Sequence, residues 1–218
     1  MTREEFCKYH WEYFLVLERD LMEIERFVSF DLGDNILYTN NSCNDYGNSQ
    51  CFSNEFIKQY QSICSEIDVI LKTICKEFDK NSSANDMCKY TTEILKEWPG
   101  IVKQRVLMKD IELQPFINWK ITPYNSPDWW TPYNKVKHDR ISNYKEANLK
   151  NVLNSLAALY ILEQYLAKYI GDRDSVYDVP NDISKLFEMI NYKTQRKVIG
   201  KNAYEINEDD IDEIFKDF

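Results

Sequence analysis

The chain has 218 residues and a net charge of −9, which fits one domain of ordinary size and argues against a general nucleic-acid binder. Hydrophobic residues make up 44% and charged residues 29%, a balance that suits a soluble globule with a core and not a disordered chain. The five glycines stand too far apart for a phosphate loop or dinucleotide fingerprint. With only His10 and His138, a His-rich catalytic metal centre is excluded, so neither metal nor cofactor is expected.

A first helix is expected over residues 2–30. Thr2 and Glu5 have capping-box spacing, and Phe6, His10, Tyr13, Phe14, Leu17, Leu21, Ile24 and Val28 recur at three- and four-residue steps. Residues 31–52 turn Asn-rich and read as a long loop. Ser53 or Asn54 caps a second helix to about Lys80, with a stripe from Phe56 through Ile63, Ile67, Ile70 and Ile74 to Phe78. A third helix starts near Ser83 and stops at Pro99-Gly100. Residues 101–125 are ambiguous, and Ile111 to Ile121 reads as extended because of its aromatic and β-branched residues and Pro115.

Ser126-Pro127 restarts helix, with a Ser cap followed by Pro at the first position. This fourth helix ends near Ile141. Asn143 and Glu146 have capping-box spacing and open a fifth and most apolar helix, which Gly171 stops. Residues 172–218 read as a polar appendage with an acidic end. Together these elements predict an all-α antiparallel bundle of four to five long helices over residues 1–171, with a C-terminal appendage over 172–218.

No stretch approaches the roughly 18 uncharged apolar residues of a membrane span. The opening Met1–Phe14 mixes both charges, unlike a secretory signal. Six cysteines without a Cys-x-x-Cys pair indicate a reducing compartment, so a cytoplasmic protein without a membrane role is expected. Cys64 and Cys75 share a helix face and read as small core residues. Cys43 and Cys51 could reach each other, but no spacing motif supports a disulfide or zinc there.

The charge is uneven. Residues 101–150 hold nine Lys and Arg against five Asp and Glu, interleaved with Trp119, Tyr124, Trp129, Trp130, Tyr133 and Tyr144. Cations among stacking surfaces suit RNA, although a solvated face anchored by core tryptophans has the same composition. Within this segment Asn134 and His138 are four apart, hence on one face of a helix. Imidazole, with an ordinary pKa of roughly 6.5, moves protons at neutral pH. An amide one turn away can hold a phosphate oxygen, and Lys137 and Arg140 can offset developing negative charge. The alternative is that Asn134 and His138 lock neighbouring helices together. His10 lies on the apolar stripe of the first helix and reads as a core histidine; with Cys7 it lacks a third catalytic partner.

The segment Tyr133-Asn134-Lys135-Val136-Lys137-His138 resembles the signature of the HEPN superfamily, an Arg, a polar residue, three variable residues and a His, near the start of a long helix in an all-α bundle. Asn134 and His138 match the polar position and the His; Tyr133 stands where the signature has Arg. The resemblance implies a homodimer whose facing motif helices form one composite metal-independent ribonuclease site. It implies RNA as substrate, roles in toxin and phage-defence systems, and protein partners such as antitoxins. The resemblance places the catalytic pair on His138 and Asn134. Around that pair Lys137 and Arg140 are expected to offer positive charge, Tyr133 and Trp130 to shape or stack at the site, and Trp129 and Lys135 to contribute to RNA binding. The same resemblance also covers non-catalytic members that bind partners or act as scaffolds.

Overall fold

The computed structural model describes residues 1–33, 47–174, 183–190, 197–199 and 204–206. Most of the Asn-rich segment and the acidic C-terminal end lie outside them. The described chain is mostly helical, with a small three-stranded sheet.

Helix α1 (Arg3–Phe6) starts at the expected capping box: the Thr2 hydroxyl accepts from the Glu5 amide at 3.2 Å, and the Glu5 carboxylate accepts from the Thr2 amide at 2.8 Å. A π-helical turn, Cys7–Trp11, continues it, and α2 (Glu12–Ile24) completes the rod. The helix thus ends earlier than residue 30. In α3 (Asn54–Phe78) the Ser53 hydroxyl caps the Phe56 amide at 3.0 Å, and the expected stripe is buried from Phe56 to Cys75. Helix α4 (Met87–Glu97) begins later than Ser83, because Asp86 supplies the cap by accepting from the Lys89 amide at 3.0 Å.

A 3₁₀ turn (Pro99–Lys103) leads into β1 (Arg105–Met108) and β2 (Ile111–Leu113), an antiparallel hairpin that turns through Lys109 at φ 54°. Val106, Met108 and Leu113 face the core. Only Ile111 to Leu113 of the expected extended run is strand. Helix α5 spans Trp130–His138, shorter at both ends than expected. The anticipated opening of the fifth helix is a separate 3₁₀ turn (Tyr144–Glu146). Helix α6 (Leu149–Asp174) starts where the Asn148 side chain accepts from the Asn151 amide at 3.0 Å, and it runs through Gly171.

Helix α6 is buried on nearly all sides over Leu149 to Leu162, which makes it the centre of the core. The N-terminal rod runs antiparallel to α3, with the Met1 amino group on Glu77 at 2.6 Å and His10 beside Glu66. Helices α3 and α6 run parallel instead. Near their starts the Leu149 amide donates to the Cys51 carbonyl at 2.9 Å, and near their ends the Tyr169 hydroxyl donates to the Glu77 carbonyl at 3.3 Å. The expected antiparallel order is corrected for this pair, because the intervening chain from Asp79 to Asn148 is long enough to return to the same end.

The C-terminal part is not wholly an appendage. Strand β3 (Glu188–Ile190) pairs antiparallel with β1, giving the order β2-β1-β3. Leu186 and Phe187 join the core, and the Phe187 ring stacks on Tyr160 at 5.6 Å. The buried Glu18 carboxylate accepts from the Ser184 hydroxyl and, at 3.1 Å each, from the Lys185 and Leu186 amides. Beyond it, β4 (Lys197–Ile199) and β5 (Tyr204–Ile206) pair antiparallel in a separate two-stranded sheet. Among the described residues no helix is long and apolar enough to cross a membrane.

Candidate functional site

Helix α5 is held by its aromatic start. The Trp129 indole N–H donates to the Pro115 carbonyl at 3.0 Å, and the Tyr60 hydroxyl of α3 donates to the Trp129 carbonyl. The Tyr133 ring meets Tyr60 edge-on at 5.9 Å and Trp130 at 5.1 Å, and Val136 is fully buried. This inner face of Trp129, Tyr133 and Val136 fixes what the outer face presents.

The expected site residues therefore separate into two groups. Trp129 and Tyr133, only 2% and 4% exposed, belong to the core, so neither offers a ring to an RNA base or a hydroxyl to a phosphate. Burial, with Cys64 and Asp68 adding to it, pushes the Tyr133 phenol up to about 12, which removes it as a base near neutrality. Trp130 is partly buried. His138, Lys135, Lys137 and Arg140 are exposed, and Asn134 is half-buried one turn before His138. Among the described residues the His138 imidazole has no hydrogen-bond or ion-pair partner.

The charges around His138 are mixed. Lys135, Lys137 and His138 share the last turn of α5, where the helix dipole favours cations whatever their function. Lys137 Nζ lies over the Tyr133 ring at 5.6 Å, and Lys135 pairs with Glu146 at 3.4 Å. Asp139 follows His138; hydrogen bonds from Ser142 hold its carboxyl below the usual range, so it is an anion next to the imidazole. The Asn143 amide donates to the Asp139 carbonyl at 2.8 Å and closes the turn that carries Arg140. Here the Asn134–His138 pair ends a nine-residue helix and does not open a long one.

A second cluster was not anticipated. His10, Glu66 and Glu163 meet at the junction of the π-turn, α3 and α6, all three buried, with ligating atoms within 4.8 Å of one another. His10 Nδ1 is 3.2 Å from Glu66 Oε1. Both Glu163 oxygens are buried without a hydrogen-bond partner among the described residues. Burial first, and the neighbouring Glu66 second, push the Glu163 carboxyl well up. His10 is thus a core histidine, as its place on the stripe suggests, but it sits against two carboxylates. Glu163 carried a sequence signal: it is the sole acidic residue between Leu149 and Lys168, on a strongly apolar helix.

Cys64 and Cys75 are buried thiols, as expected, and Cys51 and Cys88 are exposed ones; Cys43 lies outside the described residues. No protein-family model matches the chain, and comparison with curated proteins and with solved structures finds no matching protein.

Proposed function

We propose that the protein is a metal-independent endoribonuclease of HEPN type, acting as a dimer in a toxin or phage-defence setting. The supporting observation is the placement of His138, an exposed imidazole without a partner among the described residues, one turn from Asn134 and beside exposed Lys137 and Arg140. In this reading the RNA 2′-hydroxyl attacks the adjacent phosphorus, and the 5′-oxygen leaves to give a cyclic phosphate. His138 accepts the 2′-hydroxyl proton, and its copy across the dimer protonates the leaving oxygen. Asn134 holds a phosphate oxygen, while Lys137 and Arg140 offset charge on the phosphorane. Lys135 and the accessible part of Trp130 contribute to binding; the buried Trp129 and Tyr133 support α5 from below.

A second reading, a non-catalytic module that binds a partner, is favoured by Tyr133, which fills the signature Arg position with a core ring. Incubation of the full chain with mixed cellular RNA in buffer without divalent metal separates the two. The enzyme cleaves, and His138→Ala does not. A wild-type chain that cleaves no more than His138→Ala contradicts the enzyme reading and supports the binding module.

A further inference from the structure

Two carboxylates at the centre of a helical core are costly unless something balances them. Glu66 has His10 at 3.2 Å, whereas Glu163 is fully buried and has no donor for either oxygen among the described residues. An ionised carboxylate in that position is desolvated with nothing to offset its charge. The three groups come from three different elements and converge on one point. The π-turn that presents His10 carries a backbone bond from the Glu12 amide to the Cys7 carbonyl, five residues back; such a turn is an uncommon helix irregularity that often marks functional positions.

We propose that His10, Glu66 and Glu163 form a buried site for one divalent first-row transition cation, with zinc the best fit. One imidazole nitrogen with two carboxylate oxygens is a donor set suited to zinc, and the cation's charge equals that of the two carboxylates. Ligating atoms around zinc lie about 3–4 Å from one another, given bonds of roughly 2.0–2.2 Å. The His10–Glu66 separation of 3.2 Å already meets this. The other separations are at most 4.8 Å, so Glu163 would close in by no more than about 1–2 Å. The cation would tie the N-terminal rod to α3 and α6 from inside the core. None of its ligands belongs to α5, and it takes no part in the chemistry proposed at His138.

The competing occupant is a proton. Glu163 held as a neutral acid needs no metal, and glutamine would replace it without loss. The test uses the full chain, stripped with a chelator, then incubated with zinc chloride or manganese chloride and desalted. Metal content and thermal melting are then measured for wild type and Glu163→Gln. The proposal expects close to one zinc per wild-type chain, a higher melting temperature with zinc, and loss of both in Glu163→Gln. It is overturned if wild type retains no metal, or if Glu163→Gln retains the same amount, which would place the metal on surface thiols or carboxylates. It is also overturned if Glu163→Gln melts at or above the zinc-treated wild type. Should the variant fail to fold, cobalt(II) loaded into wild type decides the matter. Ligand-field bands of nitrogen and oxygen coordination support the site; a spectrum of aqueous cobalt or of thiolate ligation overturns it.

Discussion

Replacing Tyr133 with Arg restores the signature residue on paper and tests whether that position belongs to the core. The structure makes the substitution costly. Tyr133 is 4% exposed, with its ring against Tyr60 and Trp130. Removing a buried aromatic ring costs about 3–5 kcal/mol, of which the Arg methylenes recover part. The guanidinium then faces burial, with a penalty of several kcal/mol per ion. Lys137, whose ammonium now rests over the Tyr133 ring, would instead face a like charge one turn away. A net loss of at least about 3 kcal/mol follows, a large share of the roughly 5–15 kcal/mol that holds a domain folded. For a chain of this size it corresponds to a fall in melting temperature of about 6–12 °C. Near-UV circular dichroism melts of wild type, Tyr133→Phe and Tyr133→Arg measure it, with the Phe variant expected within about 1 kcal/mol of wild type. A Tyr133→Arg protein that melts with wild type would show that the position is open to solvent and not part of the core.

Glu18→Ala should release residues 183–190 from the helical body. Loss of the carboxylate that accepts from two backbone amides costs roughly 3 kcal/mol, so exchange of the Lys185 and Leu186 amides should speed up about 100-fold; unchanged exchange would show that Leu186 and Phe187 hold the segment alone. Asp86→Ala should cost about 1 kcal/mol at neutral pH through loss of the α4 cap. The Asp86 carboxyl is held low, first by the Lys89 amide, so its contribution is present above the unfolded carboxylate range and lost as pH falls through its folded value. The gap between the wild-type and variant denaturation midpoints should therefore close on acidification; a gap that widens would reverse the assignment. Iodoacetamide on the native chain should modify the exposed Cys51 and Cys88 well before Cys64 and Cys75, whose thiols burial pushes up, Cys75 to about 12. Peptide mapping that finds Cys64 labelled as fast as Cys88 would contradict the packing beneath α5.

What the sequence reveals follows from the range of the interactions involved. Ser53 and the Phe56 to Cys75 stripe are local signals, and α3 appears where they place it. The same holds for the Thr2–Glu5 capping box. Asn134 and His138 share a helix because their spacing is local as well. The sheet was legible only in part: β2 falls in the run read as extended, but β1 is four residues long in an ambiguous segment, and its second partner, β3, arrives about eighty residues later. Gly171 does not stop α6, because continued packing overrides a single glycine. The parallel order of α3 and α6 depends on the path of the long chain between them, which periodicity does not encode. Tyr133 and Trp129 point inward because α5 packs on Tyr60, a contact across some seventy residues. The His10, Glu66 and Glu163 cluster joins three elements and left only one trace, an acidic residue on the most apolar helix.

The proposed ribonuclease depends on His138 moving protons in RNA cleavage. Its most direct test is to incubate a defined single-stranded RNA with wild type, His138→Ala and Asn134→Ala, with EDTA present and folding confirmed by circular dichroism, and to determine the product termini by mass spectrometry. If His138 moves these protons, wild type leaves 2′,3′-cyclic phosphate ends, His138→Ala leaves the RNA intact, and Asn134→Ala cleaves more slowly. Cleavage by His138→Ala at the wild-type rate, or an RNA that folded wild type leaves whole, would contradict it.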